Sequence, residues 1–216
     1  DGEIASLKYI CSMNIRIAHE KKGASEALLS YLFRENALGM KEFCSTLIVS
    51  PPMWGKTTIL RDLIRSLASD ADERIPYKIG VVDERGELGA DYLGILQNDL
   101  GFSSDVYTNC PKKEGITNLL RSMSPEIIAL DELATKEDCD AVGLAFGHGC
   151  KIIATMHGDC ATLPHKHPYI GSLCRVTGFE RIILLYKVRN TIGCETEHLA
   201  AVYDVDGKCL KKDINV

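Results

Sequence analysis

Three features of the sequence predict an α/β fold with a mostly parallel sheet and helices on both faces. Short apolar runs recur at Leu47 to Val49, Ile79 to Val82, Ile127 to Leu130, Ile152 to Ala154 and Ile182 to Leu185. Helical candidates lie between several of them, at Leu60 to Leu67, 113–123, 136–147 and 160–174. The polar residues best suited to chemistry fall directly after these runs rather than inside them. Continuous apolar strands alternating with helices are what a sheet buried on both faces requires.

Taken in order, residues 3–17 hold two short alternating stretches, Ile4 to Ile10 and Met13 to Ile17, which predict a β pair. Ala27, Leu28, Tyr31 and Leu32 recur at helical spacing and predict a helix over Ala24 to Arg34. After the first buried run a Pro-Pro turn leads into Leu60, Leu63, Ile64 and Leu67, again at helical spacing. The tail, Leu199 to Tyr203, then Asp206-Gly207, then Cys209-Leu210, reads as a closing hairpin with an Asp-Gly turn.

With 216 residues, 45% hydrophobic and 25% charged, the chain has the composition of one globular domain with at most a small appendage. Its net charge of −5 lacks the basic footprint of a nucleic-acid binder. Its longest apolar run, Ile182 to Tyr186, is far short of the ~18 residues of a membrane-spanning helix. Nine cysteines, an odd number without a Cys-x-x-Cys pair, read as reduced thiols in a cytosolic compartment. The opening Asp1-Gly2-Glu3 reads as the start of a piece of a longer protein.

The strongest local signal is Ser50-Pro51-Pro52-Met53-Trp54-Gly55-Lys56-Thr57-Thr58, between a predicted strand and a predicted helix. That context is what a phosphate-binding P-loop needs. Amides from about Trp54 to Thr58 would point at phosphate oxygens and add the positive end of the helix dipole. Pro51 and Pro52 stiffen the loop without donating. Lys56 would reach the terminal phosphates, and Thr57 would offer its hydroxyl to Mg²⁺. Ser50 stands where the first glycine usually is, and Met53 and Trp54 stand where small residues are common.

Two further runs end in acids, Val82-Asp83-Glu84-Arg85 and Leu130-Asp131-Glu132. In open α/β sheets ligands bind beyond the carboxyl ends of the strands, so both pairs should share the P-loop crevice. Asp131 is suited to orient Mg²⁺, and Glu132 or Glu84 to accept a proton from an attacking water. His157, after the next run, is placed to sense the terminal phosphate. Arg85, Arg121, Arg175 and Arg181 are candidates to neutralise charge on a transferring phosphoryl group. A zinc site of His148, Cys150, His157 and Cys160 matches none of the compact zinc spacings.

These residues, with Asn14-Ile15-Arg16-Ile17-Ala18, Asn109-Cys110-Pro111-Lys112, Glu114-Gly115 and Arg121-Ser122-Met123-Ser124-Pro125-Glu126, resemble the stage III sporulation protein AA family. The matches run in order to about Leu185. The resemblance implies a RecA-like P-loop ATPase domain over 41–216, with 1–40 the end of a truncated N-terminal region. It implies ATP and Mg²⁺ as ligands and kinship with the ATPases of type II/IV secretion and pilus systems. A homo-oligomer, by analogy a hexameric ring, is implied. So is attachment to a membrane protein of the channel complex between mother cell and forespore, on the cytoplasmic face. By the same analogy Glu84 is preferred as base and Glu132 is the alternative. His19, Ser103, Gly86, Ala134 and Ser50 depart from the family pattern. The competing expectations are an ATP-binding scaffold with little turnover, a nucleic-acid remodeller and, more remotely, a small-molecule kinase.

Overall fold

A computed structural model describes residues 9, 11–13, 20–69, 75–158, 178–189 and 196–216. The predicted β pair at the front and the predicted helix over 160–174 lie outside the described residues, apart from isolated positions near the front.

The first described elements are a single-turn helix, α1 (Glu26–Leu29), and a small antiparallel hairpin, β1 (Phe33–Glu35) with β2 (Lys41–Phe43). The helix expected over Ala24 to Arg34 is therefore cut short. Phe33 leaves the helical path to pack edge-on against Phe43, with centroids 5.7 Å apart, and that pair closes the hairpin. Asp62 fixes the segment to the body of the fold, accepting hydrogen bonds from Gly23 N, Ser25 N and Ser25 Oγ.

The body alternates strands and helices: β3 (Thr46–Ser50), α2 (Lys56–Leu67), β4 (Ile79–Asp83), β5 (Ser104–Thr108), α3 (Lys112–Ser122), β6 (Ile127–Leu130), α4 (Lys136–Gly147) and β7 (Lys151–His157). β8 (Arg181–Arg189), β9 (Thr196–Asp204) and β10 (Cys209–Asn215) complete the chain. One eight-stranded sheet runs in the order β10-β9-β8-β3-β7-β6-β4-β5. All pairings from β8 through β5 are parallel, while β9 and β10 extend it antiparallel.

Each buried strand carries two apolar faces, and helices cover both. Leu47, Val49, Val82, Ile128 and Leu130 pack with α3 and α4 on one side. Ile48, Ile79, Val81, Ile127 and Ala129 pack with Ile59, Leu60, Leu63 and Ile64 of α2 on the other. The five predicted apolar strands and the predicted helices at Leu60 to Leu67, 113–123 and 136–147 match, and the tail hairpin turns at Asp206-Gly207, where Gly207 takes a left-handed φ of 81°. β5 had no apolar run to announce it. It is an edge strand, half-buried at every residue, and its sequence Ser-Asp-Val-Tyr-Thr is correspondingly mixed.

Strand order decides what shares the crevice. From β3 the carboxyl ends pass to β7, then β6, then β4, which brings the P-loop, His157, Asp131-Glu132 and Asp83-Glu84 into one row.

Candidate nucleotide site

The loop after β3 opens α2 as its motif requires. Gly55 is the N-cap, with φ 93° in the left-handed region that a side chain enters only at a cost, and the Ile59 amide donates to its carbonyl. Met53 also has a positive φ, 63°, and its side chain stands in solvent. The Trp54 ring lies 5.5 Å below the Lys187 ammonium of β8, which also comes within 3.5 Å of Met53 O. Thr57 and Thr58 are half-buried in the first turn of α2. Ser50 is buried, with its hydroxyl turned to Pro51 O.

Lys56 is 7% exposed, and its ammonium donates to Ser50 O and Pro51 O, both at 3.2 Å, and to His157 Nδ1 at 2.9 Å. An ammonium has only donors, so Nδ1 acts as acceptor and the imidazole proton resides on Nε2. That nitrogen lies 3.3 Å from Glu132 Oε1. The register explains the meeting: Ser50 and His157 are direct partners across β3 and β7. β3 and β6 are two sheet steps apart, about 10 Å, and His157 on the intervening strand bridges the gap.

Beyond His157 the acids are held individually. Thr155 is fully buried, and Thr155 Oγ1 donates to Asp131 Oδ1 at 2.7 Å while accepting from Glu132 N at 2.9 Å. Leu133 N then donates to Thr155 O. These bonds hold Glu132 at φ 44°, a left-handed conformation that costs a residue with a side chain about 1–3 kcal/mol and gathers at functional sites. Its other oxygen pairs with Arg85 Nη1 at 3.1 Å. Burial, with the neighbouring Asp83 and Glu132 charges, pushes the Asp131 carboxyl above the ordinary range against the pull of Thr155.

Asp83 has a different task. Fully buried, it accepts the amides of Glu87, Leu88 and Gly89, while Arg61 donates to Leu88 O and Glu87 O, so the loop after β4 is pinned from both sides. Glu84 next to it emerges into a cavity of about 290 Å³ lined by Glu84, Lys112, Asp131, Glu132, Thr135 and Asp138 among others. There its carboxylate is ion-paired with Lys112, whose ammonium also lies 3.7 Å from Asp138 Oδ1.

The structure thus brings together Ser50 to Thr58, His157, Glu132, Asp131, Arg85 and Glu84. Arg121 stays apart: it is exposed in the last turn of α3, which runs back from the carboxyl ends of the strands. Arg181, at the start of β8, donates to Tyr31 O and Glu180 O. Arg175 and Cys160 lie outside the described residues. No group of three or more metal-ligating side chains occurs among the described residues. Sequence reasoning missed Thr155 and Lys187. Thr155 had one available signal, its position two residues before His157 and hence on the same strand face.

The residues fit a polyphosphate with Mg²⁺. A buried ammonium held inside a glycine-hinged loop, amides at a helix start, a hydroxyl on Thr57 and a nearby carboxylate on Asp131 form the donor set that such a ligand takes.

The architecture is that of the RecA-like P-loop NTPase fold. At TM-score 0.60 and 14% identity, the chain superposes on the Legionella pneumophila ATPase DotB over 87% of its own length and 51% of that chain. With the pilus retraction motor PilT, solved with bound ADP, the values are 0.51 and 14%, over 84% and 53%. The chain spans about half the length of these solved structures. It belongs to the family of sporulation stage III, protein AA, whose model matches residues 1–210. It is 38% identical over 216 residues to the stage III sporulation protein AA of Bacillus subtilis (strain 168), covering the whole chain and 67% of that protein.

Proposed function

We propose that this chain is an Mg²⁺-dependent ATPase domain that couples hydrolysis to assembly of, or transport through, a membrane channel complex between mother cell and forespore. It works as a homo-oligomeric ring, by analogy a hexamer, at the cytoplasmic face. The observation that carries the ATPase reading is the row from Lys56, hydrogen-bonded to His157 Nδ1, to Glu132, whose Oε1 lies 3.3 Å from His157 Nε2, which links the P-loop to an acid two strands away. Glu132 also carries a left-handed φ of 44°, a strain that gathers at functional sites.

In this reading the amides from Trp54 to Thr58 and the Lys56 ammonium bind the triphosphate, and Thr57 and Asp131 hold Mg²⁺. The metal, when bound, neutralises charge developing on the phosphoryl oxygens. Glu84 takes the proton of the attacking water, with Glu132 the alternative base. His157 exchanges its bond with Lys56 for one with the terminal phosphate, so gain or loss of that group is felt at Glu132 and Arg85. Arg121, away from its own chain's crevice, is available to a neighbouring protomer's site. The partner on the membrane is a protein of the sporulation channel; no helix among the described residues is long and apolar enough to cross a bilayer. The family relationship supports the sporulation part, and the fold shared with the ATPase DotB and the pilus retraction motor PilT supports the motor part.

A second reading, an ATP-binding scaffold with little turnover, is favoured by the engagement of both acids, Glu84 by Lys112 and Glu132 by His157 and Arg85. Phosphate release by the wild type, Lys56→Ala, Glu84→Gln and Glu132→Gln, at high protein concentration, separates the two. A fall of about 100-fold or more in Glu84→Gln supports hydrolysis with Glu84 as base. The same fall only in Glu132→Gln transfers that role. Rates indistinguishable from Lys56→Ala in every protein, with ATP still bound by the wild type, leave the scaffold.

A further inference from the structure

Lys112 sits where helix electrostatics disfavour it. It is the first residue of α3, next to the positive end of the helix dipole, and is 8% exposed. Its position is explained by what it touches. Glu84 receives its ammonium from the end of β4, and Asp138 Oδ1 lies 3.7 Å away on α4. Asp138 is itself immobilised as the third residue of a capping box, its Oδ2 accepting the amides of Ala134 and Thr135 while its own amide donates to Thr135 Oγ1.

The helix is brought down onto β4 by missing side chains. A Cβ on Gly115 would come within 2.7 Å of Val82 Cγ1 and 3.0 Å of Cys110 Sγ, and one on Gly80 within 2.9 Å of Leu119 Cδ1. Gly115 follows Lys112 by three residues, hence on the same helix face, and Val82 precedes Glu84 by two. Close contact at Gly115 against Val82 therefore delivers the Lys112 ammonium to the end of β4. The Glu84 side chain is 43% exposed on a flexible stem, whereas Lys112 and Asp138 are 8% and 15% exposed. The fixed partners orient the free one.

We propose that Lys112 is a positioning residue for Glu84, its buried ammonium, anchored through Asp138 to α4, setting where the carboxylate stands at the rim of the cavity. This rests on the reading of Glu84 as general base. It adds that the α3–α4 pair, not β4 alone, controls the base.

The test uses the full chain and compares kcat, KM and ATP affinity, the last from Trp54 fluorescence. Lys112→Met keeps the aliphatic stem and removes the charge; kcat should fall about 10- to 100-fold, as small misplacements of reacting groups do, with ATP affinity changed less than about threefold. Lys112→Arg should recover most of the loss. In the Glu84→Gln background, Lys112→Met should cost nothing further, because the group it positions is gone. If the methionine variant does not fold, Lys112→Gln, which keeps a donor at the buried position, is read in its place. A near-wild-type kcat for the neutral variant beside a collapsed Glu84→Gln overturns the inference alone, as does a multiplicative loss in the double variant. A Glu84→Gln enzyme as active as the wild type overturns the reading of Glu84 as base, and this inference with it.

Discussion

The ammonium of Lys56 and Nδ1 of His157 stand 2.9 Å apart although the residues are separated by 101 positions in the chain. The contact leaves the imidazole between the P-loop and Glu132, whose Oε1 lies 3.3 Å from Nε2. His157→Ala breaks it without removing any loop amide. ATP affinity should stay within a few-fold of the wild type, and phosphate release should fall about 10- to 100-fold, the loss expected when a group acting beside the transferring phosphoryl is misplaced. Equal losses in affinity and turnover would reduce His157 to a binding residue.

The single tryptophan of the chain lies in the P-loop, which supplies an intrinsic reporter. Adding ATP or ADP should change Trp54 emission, because the loop moves away from its contacts with the Lys187 ammonium. Lys56→Ala should weaken the titration by about 10- to 100-fold, the worth of a lost charge-assisted bond of roughly 1.5–3 kcal/mol. Gly55→Ala should weaken it as well, since a side chain at φ 93° costs on the order of 1–2 kcal/mol. A titration identical in all three proteins would mean that the nucleotide binds elsewhere.

In the proposed reading, Asp131 ties metal affinity to pH. Its carboxyl lies above the ordinary range because it is buried beside Asp83 and Glu132. The folded state thus holds its proton more tightly than the unfolded chain, and stability is lost as pH rises from the ordinary value of 3.8 through the raised one. Without Mg²⁺, Asp131→Asn should be more stable than the wild type at pH 7, by on the order of 1 kcal/mol, with the gain fading under acid conditions. The same substitution should abolish the Mg²⁺-dependent part of ATP binding. In the wild type that part should weaken on acidification before an ordinary aspartate would protonate. Thermal melts and Mg²⁺ titrations at several pH values read both effects.

Asp62 is the complementary case. Burial works to raise its carboxyl, but hydrogen bonds from Ser25, Arg65 and Gly23 outweigh it and hold the group below the ordinary range. Its contribution is present above the unfolded value of 3.8 and is lost as pH falls through the lower folded one. Asp62→Ala strips partners from two buried donors on Ser25 and should cost about 3 kcal/mol at neutral pH, lowering the melting midpoint by roughly 6–12 °C. An unchanged midpoint would show that residues 20–32 are not held to α2 by this carboxylate.

Much of the fold was legible because its determinants are local. Leu47 to Val49 and Ile127 to Leu130 announce strands buried on both faces, and Leu60, Leu63, Ile64 and Leu67 announce the face of α2. Where packing overrides spacing, legibility failed. Leu28, Tyr31 and Leu32 keep a helical period, yet the chain leaves the helix after Leu29 so that Phe33 can meet Phe43. β5 hides because an edge strand with half-buried faces needs no apolar run.

By itself, the sequence determined the glycine–lysine–threonine loop between a strand and a helix and the acids that close two strands. A glycine hinge, a following lysine and a strand–helix junction are chemistry among neighbours in the chain. Only the tertiary structure decided which partner each group has: His157 for Lys56, Thr155 for Asp131 and Glu132, and Lys112 for Glu84. These pairings follow from the order β3-β7-β6-β4 and from the close seating of α3 on β4. Both are set by the packing of distant segments against one another, and no stretch of residues read alone contains that information.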